Sequence, residues 1–125
     1  MKRIAAIALI LAIGALPAVA ATAMTGKELT DLLSNGKELI LGGPKEGYSG
    51  TLSISKNGTA KGQVKLDSGD VIPIEGKWHI AGNKFCRTWL AGRDAGKQVC
   101  ETWNKAGPNS VRVMSGKRDL GLNSW

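Results

Sequence analysis

The sequence predicts a mainly β fold: an antiparallel meander or small barrel of seven to eight strands, with one short N-terminal helix and one disulfide. Three observations carry this. From Lys37 onward, short apolar or alternating runs are cut by turn residues at fairly even intervals, the signature of an antiparallel all-β domain. Ahead of them stands a single leucine-bearing segment with its own helix-start chemistry. Finally, the cysteine count is even, Cys86 and Cys100, in a chain that opens like an exported one.

A length of 125 residues leaves room for one domain and excludes a multidomain enzyme. Met1 to Ala23 has the parts of a secretory signal: basic Lys2 and Arg3, an apolar run from Ile4 to Leu16, and small residues at Ala18, Ala20, Ala21 and Ala23. The apolar run is too short for a transmembrane helix. Cleavage after Ala20 or after Ala23 satisfies the small-x-small pattern. Taking the second gives a signal peptide over 1–23 and a single disulfide-linked β domain over 24–125, and the loss of Lys2 and Arg3 lowers the net charge from +7 to +5. No cysteine follows the apolar run at the cleavage position, so a freely soluble periplasmic or secreted protein is expected.

The helix start follows from chemistry. Thr25 and Glu28 stand in the S/T-x-x-E arrangement, in which hydroxyl and carboxylate each cap a free backbone N–H. Leu29, Leu32 and Leu33 fall on one face, and Asn35-Gly36 supplies a left-handed stop. About two and a half turns cannot stand alone, so the leucine stripe must lie on something apolar.

Seven strands are then read: Glu38 to Leu41, Tyr48 to Ser55, Thr59 to Leu66, Val71 to Ile80, Phe85 to Leu90, Gln98 to Asn104 and Ser110 to Met114. Asn57-Gly58 is a strong hairpin signal, and Ser68-Gly69, Gly82-Asn83 and Gly107-Pro108 are further breaks. Pro73 lacks a backbone N–H, which predicts an edge, a bulge or a late strand start there. Alternation puts Ile72, Ile74, Gly76, Trp78 and Ile80 on a core face and Glu75, Lys77 and His79 on a wet one. Tyr48, Gly50, Leu52 and Ile54 form a second apolar face. A sheet with one apolar face must curl on itself or be covered, which points to a bent meander or barrel with the helix plugging one end.

If Cys86 and Cys100 are bonded across neighbouring antiparallel strands, paired positions sum to 186. Arg87 then lies opposite Val99, and Phe85 opposite Glu101. Arg87 and Glu101 become diagonal neighbours on the face away from the cysteines, flanked by Phe85, Trp89 and Trp103. Two readings follow. The five residues form the floor of a ligand site with Arg87 as anion anchor, or the aromatics are core and the ion pair sits partly exposed at a rim.

The segments Gly76-Lys77-Trp78-His79-Ile80 and Phe85-Cys86-Arg87-Thr88-Trp89, followed by Cys100, resemble the G-x-W, C-x-x-W and C pattern of small periplasmic proteins of alphaproteobacteria, a domain of unknown function. In that group a signal peptide and a T-G-x-E-L helix opening, here Thr25 to Leu29, precede a β meander. The resemblance implies fold and compartment and carries no activity with it.

Enzyme motifs are scarce. Zinc needs four ligands and His79 is the sole histidine to join the two cysteines, so neither a metal nor any other cofactor is expected. Asp67 and Asp70 flank a glycine turn, and Gly42-Gly43-Pro44 lacks the helix and GK[ST] of a phosphate cradle. Basic residues are scattered (Lys56, Lys61, Lys65, Lys77, Lys84, Lys97, Lys105, Lys117, Arg118), a pattern that protects sheet edges and also favours an anionic envelope component as partner. Nucleic acid is not expected as a partner. Neither is a membrane span: the terminal Trp125 resembles the end of an outer-membrane barrel, but most strands are shorter than the ~9 to 11 residues needed and outer positions carry lysines. The expected function is therefore a non-enzymatic envelope domain that binds a small anionic or amphipathic ligand, or a periplasmic protein, through Phe85, Arg87, Trp89, Glu101 and Trp103. The alternatives are a structural or inhibitory envelope module and a hydrolase-like enzyme using Glu101 or His79.

Overall fold

A computed structural model describes residues 22–125, so the expected signal peptide lies outside the described residues except for Thr22 and Ala23. Helix α1 (Gly26–Leu33) is followed by β1 (Lys37–Gly43), β2 (Tyr48–Ile54), β3 (Thr59–Leu66), β4 (Val71–Ala81), β5 (Lys84–Trp89), β6 (Gln98–Gly107), β7 (Ser110–Ser115) and β8 (Arg118–Ser124). Every strand pairs with the next in antiparallel fashion, and β8 returns to β1 to close a barrel. The expected mainly β fold of seven to eight strands with one short helix and one disulfide is present, with eight strands, the last of which the individual strand assignments did not include.

The helix begins as its sequence requires. Thr25 Oγ1 accepts from the Glu28 N–H at 3.1 Å and Glu28 Oε1 accepts from the Thr25 N–H at 3.0 Å, which satisfies two N-terminal donors at once. Gly36, at φ 91°, ends it in the left-handed region. Leu29 and Leu33 are completely buried. They close the barrel end formed by the β2–β3, β4–β5 and β6–β7 turns, where the Gly26 N–H donates to Asn83 Oδ1 in the β4–β5 turn. Beneath the helix the core is aromatic: Phe85 lies 5.9 Å from Trp78 in a near-parallel stack and 4.9 Å from Trp103 at a tilt. Trp78 is half-buried against this core and donates its indole N–H to the Ser55 carbonyl at 2.9 Å.

Closing eight strands around so few side chains requires the sheet to coil tightly. Gly50 and Gly62 face inward where a Cβ would meet the backbone carbonyls of Gln63 and Thr51 on the neighbouring strands. The seam is short: β1 and β8 share only Ile40↔Ser124 and Leu41↔Asn123.

The other end, bounded by the β1–β2, β3–β4, β5–β6 and β7–β8 connections, carries no helix, and this mouth corrects two expectations. The alternation of β4 placed Ile72 in the core, yet Ile72 is 44% exposed. Register explains it: β4 pairs with β5 only from Gly76, opposite Trp89, so residues 71–75 project past the end of β5. Pro73 sits in that overhang, paired with Gln63 of β3 alone, which is the edge position its missing N–H requires. The second correction is β8 itself. A bulge between Val113 and Met114 shifts the β7–β8 register, so Leu120 packs on the core while Gly121 next to it is also buried, and the period-two signal is lost.

Candidate functional site

The disulfide joins residues in direct register, Cys86↔Cys100, with Phe85↔Glu101 and Arg87↔Val99 on either side, as the sum of 186 requires. Since successive side chains of a strand point to opposite faces, this fixes Phe85, Arg87, Trp89, Glu101 and Trp103 on the inner face. His79 pairs with Cys86 on the outer face and is exposed, so it does not converge with Glu101.

Arg87 and Glu101 are each 6% exposed, and the reading that placed them at a rim is overturned. Arg87 Nε donates to Glu101 Oε2 at 2.7 Å, and the Trp103 indole N–H donates to Glu101 Oε1 at 3.0 Å. Both carboxylate oxygens are thus engaged. Burial pushes the Glu101 carboxyl above its ordinary range, with the Arg87 guanidinium and the Trp103 N–H pulling it back. Arg87 Cζ lies 5.3 Å from the centroid of the Trp89 ring, within cation–π range. One guanidinium atom is left over: Arg87 Nη1 is buried and has no hydrogen-bond partner among the described residues.

These groups line a cavity of ≈170 Å³ inside the barrel, to which all eight strands contribute. Phe85 and Trp103 form its floor as part of the core, Arg87 and Glu101 its polar wall, and half-buried Trp89 stands toward the mouth. The rest of the lining is largely apolar, with Leu52, Val64, Ile74 and Val113. Side chains just fill the interior of many eight-stranded barrels, whereas this one leaves a cavity over its mouth half.

Sequence reasoning located the five inner residues and missed four others. Tyr48 crosses the interior from β2 to β8, where its hydroxyl accepts from the Leu122 N–H at 3.1 Å. Asn123 of β8 joins the lining, and its strand carried no readable alternation. Asp94, on the β5–β6 connection, reaches to 3.8 Å from Arg87 Nη1, and Arg118, at the start of β8, reaches to 3.6 Å from the same Asp94 oxygen. Periodicity carries no signal for loop residues, and only closure of the barrel brings β8 beside the β5–β6 connection.

No protein-family model, curated protein or solved structure matches this chain.

Proposed function

We propose that this chain is a non-enzymatic binding protein of the cell envelope whose barrel interior holds a small anionic or amphipathic ligand at Arg87. The observation that carries this is that Arg87 Nη1, on a side chain only 6% exposed, has no hydrogen-bond partner among the described residues and only a longer-range ion pair with Asp94. A buried donor without an acceptor costs about 1–3 kcal/mol, more for a charged group, and native interiors rarely tolerate one without a reason. An acceptor on a ligand entering through the mouth would remove that cost. The surroundings support the same reading, since apolar walls with a few converging polar groups are the usual composition of a small-molecule site. The signal-like N-terminus and the cysteine pair support an oxidising compartment, and the resemblance to periplasmic domains points the same way.

Native mass spectrometry of protein purified from periplasm tests it. A co-purifying small molecule is expected, and it should be absent from the paired variant Arg87→Met with Glu101→Gln, which removes both buried charges together. Retention of the ligand by that variant would place the site elsewhere. A second reading, docking of an envelope protein at the mouth, is favoured by exposed Val71, Ile72 and Leu90, all at that end. A co-purifying subunit in place of a small molecule would select it.

A further inference from the structure

The β5–β6 connection, Leu90 to Lys97, crosses the mouth beside Arg87. Its ends are tied down: the Leu90 N–H donates to the Glu75 carbonyl at 2.9 Å and the Gly96 N–H to the Trp89 carbonyl at 2.9 Å. Its centre holds Asp94 between Gly92 and Gly96, both at positive φ. One Asp94 oxygen faces two guanidiniums, 3.8 Å from Arg87 Nη1 and 3.6 Å from Arg118 Nη2. Charge-assisted N–H···O bonds form at about 2.7–2.9 Å, so Asp94 is attracted by both cations and hydrogen-bonded to neither.

We infer that Arg118 is the second anchor of the anion site and that Asp94 is an internal competitor, displaced when a ligand carboxylate bonds Arg87 Nη1 and Arg118 Nη2. This rests on the reading that the barrel interior binds an anion. Charge balance identifies the ligand further. Glu101 neutralises Arg87 through Nε, and Asp94 stands against Arg118, so moving Asp94 aside uncovers one positive charge. The matching ligand is a monoanion. Its body must be compact and apolar, because ≈170 Å³ is close to the ~150 Å³ of an apolar cavity that admits benzene. The class is a monocarboxylate carrying one ring or a short aliphatic chain.

Asp94 and Arg118 lie at the mouth rather than in the core, with side chains 23% and 47% exposed, so substitutions there leave the fold intact. Benzoate, hexanoate and inorganic phosphate are titrated into wild type, Asp94→Asn, Arg118→Gln and the Arg87→Met/Glu101→Gln variant, with the Trp103 and Trp89 indole N–H resonances as readout. Benzoate or hexanoate is expected to bind wild type, at least about tenfold more tightly after Asp94→Asn, and at least about tenfold more weakly after Arg118→Gln. Phosphate should bind more weakly than either carboxylate. Equal carboxylate affinity in wild type, Asp94→Asn and Arg118→Gln, with loss only in the Arg87→Met/Glu101→Gln variant, overturns the competitor and second anchor while the interior site stands. Phosphate binding as tight as benzoate overturns the ligand class. No binding of any probe to wild type or Asp94→Asn overturns the interior anion site itself.

Discussion

Tyr48 packs directly on Gly121: a Cβ built on Gly121 would collide with the Tyr48 hydroxyl, which accepts the Leu122 N–H at 3.1 Å. The contact matters because β1 and β8 share only two register pairs, and Tyr48 crosses from β2 to bridge the mouth side of that seam. Gly121→Ala is expected to destabilise twice over, through the clash and through its φ of 130°, by more than about 1 kcal/mol. Tyr48→Phe should cost about 1 kcal/mol for one hydrogen bond. Because Tyr48→Phe also removes the clashing atom, the two changes should be less than additive in urea denaturation. Strict additivity would mean that Gly121 is needed for its backbone alone.

The Arg87–Glu101 pair should behave as a buried unit. Glu101→Ala or Arg87→Met alone leaves an uncompensated charge in the interior and is expected to cost about 3–5 kcal/mol. Arg87→Met with Glu101→Gln removes both charges and should cost far less than the sum. Denaturant melts of the three variants check this. Single losses below about 1 kcal/mol would mean that water reaches the pair freely.

Stability against pH separates Glu101 from Asp119. The Glu101 carboxyl is pushed above its ordinary 4.5 by burial, so its contribution is fully present below that value and is lost as pH rises through the raised folded value. Asp119 is lowered, first by its hydrogen bonds to Arg112 and further by the Gly121 N–H, so its contribution is present above its ordinary 3.8 and is lost as pH falls through the lowered folded value. Relative to Glu101→Gln, wild type should therefore lose stability as pH rises above 4.5. Relative to Asp119→Asn, it should lose stability as pH falls below 3.8. Thermal melts across pH 2.5–7.5 read both slopes, and the same sign for the two would contradict the assignment.

The first described residues are part of the sheet. Thr22 O accepts the Lys105 N–H at 2.8 Å, Ala23 bridges Asn104, and the Met24 N–H donates to the Trp103 carbonyl at 2.8 Å. A chain beginning at Met24 would lose the first two of these contacts and place a charged α-amino group at a residue only 6% exposed. A chain beginning at Ala21 keeps all three. The Ala21 form is expected to be more stable by at least about 1 kcal/mol, or roughly 4–8 °C in Tm. Melting the two forms side by side tests this, and intact mass of the protein purified from cells reports whether either one is made.

The disulfide closes the loop that carries Asp94, with 14 residues of separation between its cysteines. Chain entropy values such a crosslink at about 3 kcal/mol. Reduction should lower Tm accordingly. If it leaves Tm unchanged, the β5–β6 pairing holds without the bond.

The helix, its cap, the two-faced strands and the β5–β6 register were legible in the sequence because each depends on neighbours close along the chain. Thr25 and Glu28 cap one turn, alternation assigns Leu52 and Ile54 inward, and a single bond between Cys86 and Cys100 sets which residues face each other. From this the sequence by itself determined a curled β domain with Phe85, Arg87, Trp89, Glu101 and Trp103 on one face. Depth was another matter. Whether Arg87 lies at a rim or in the interior depends on how all eight strands close, and β8 was hidden by a bulge that places Leu120 and Gly121 inward in succession. Closure brings Arg118 and Asp94 to the same mouth and draws Tyr48 across to Gly121, although each pair is far apart or unpatterned in sequence. Local chemistry leaves a periodic trace, whereas a cavity is made by residues that meet only when the sheet returns to its own first strand.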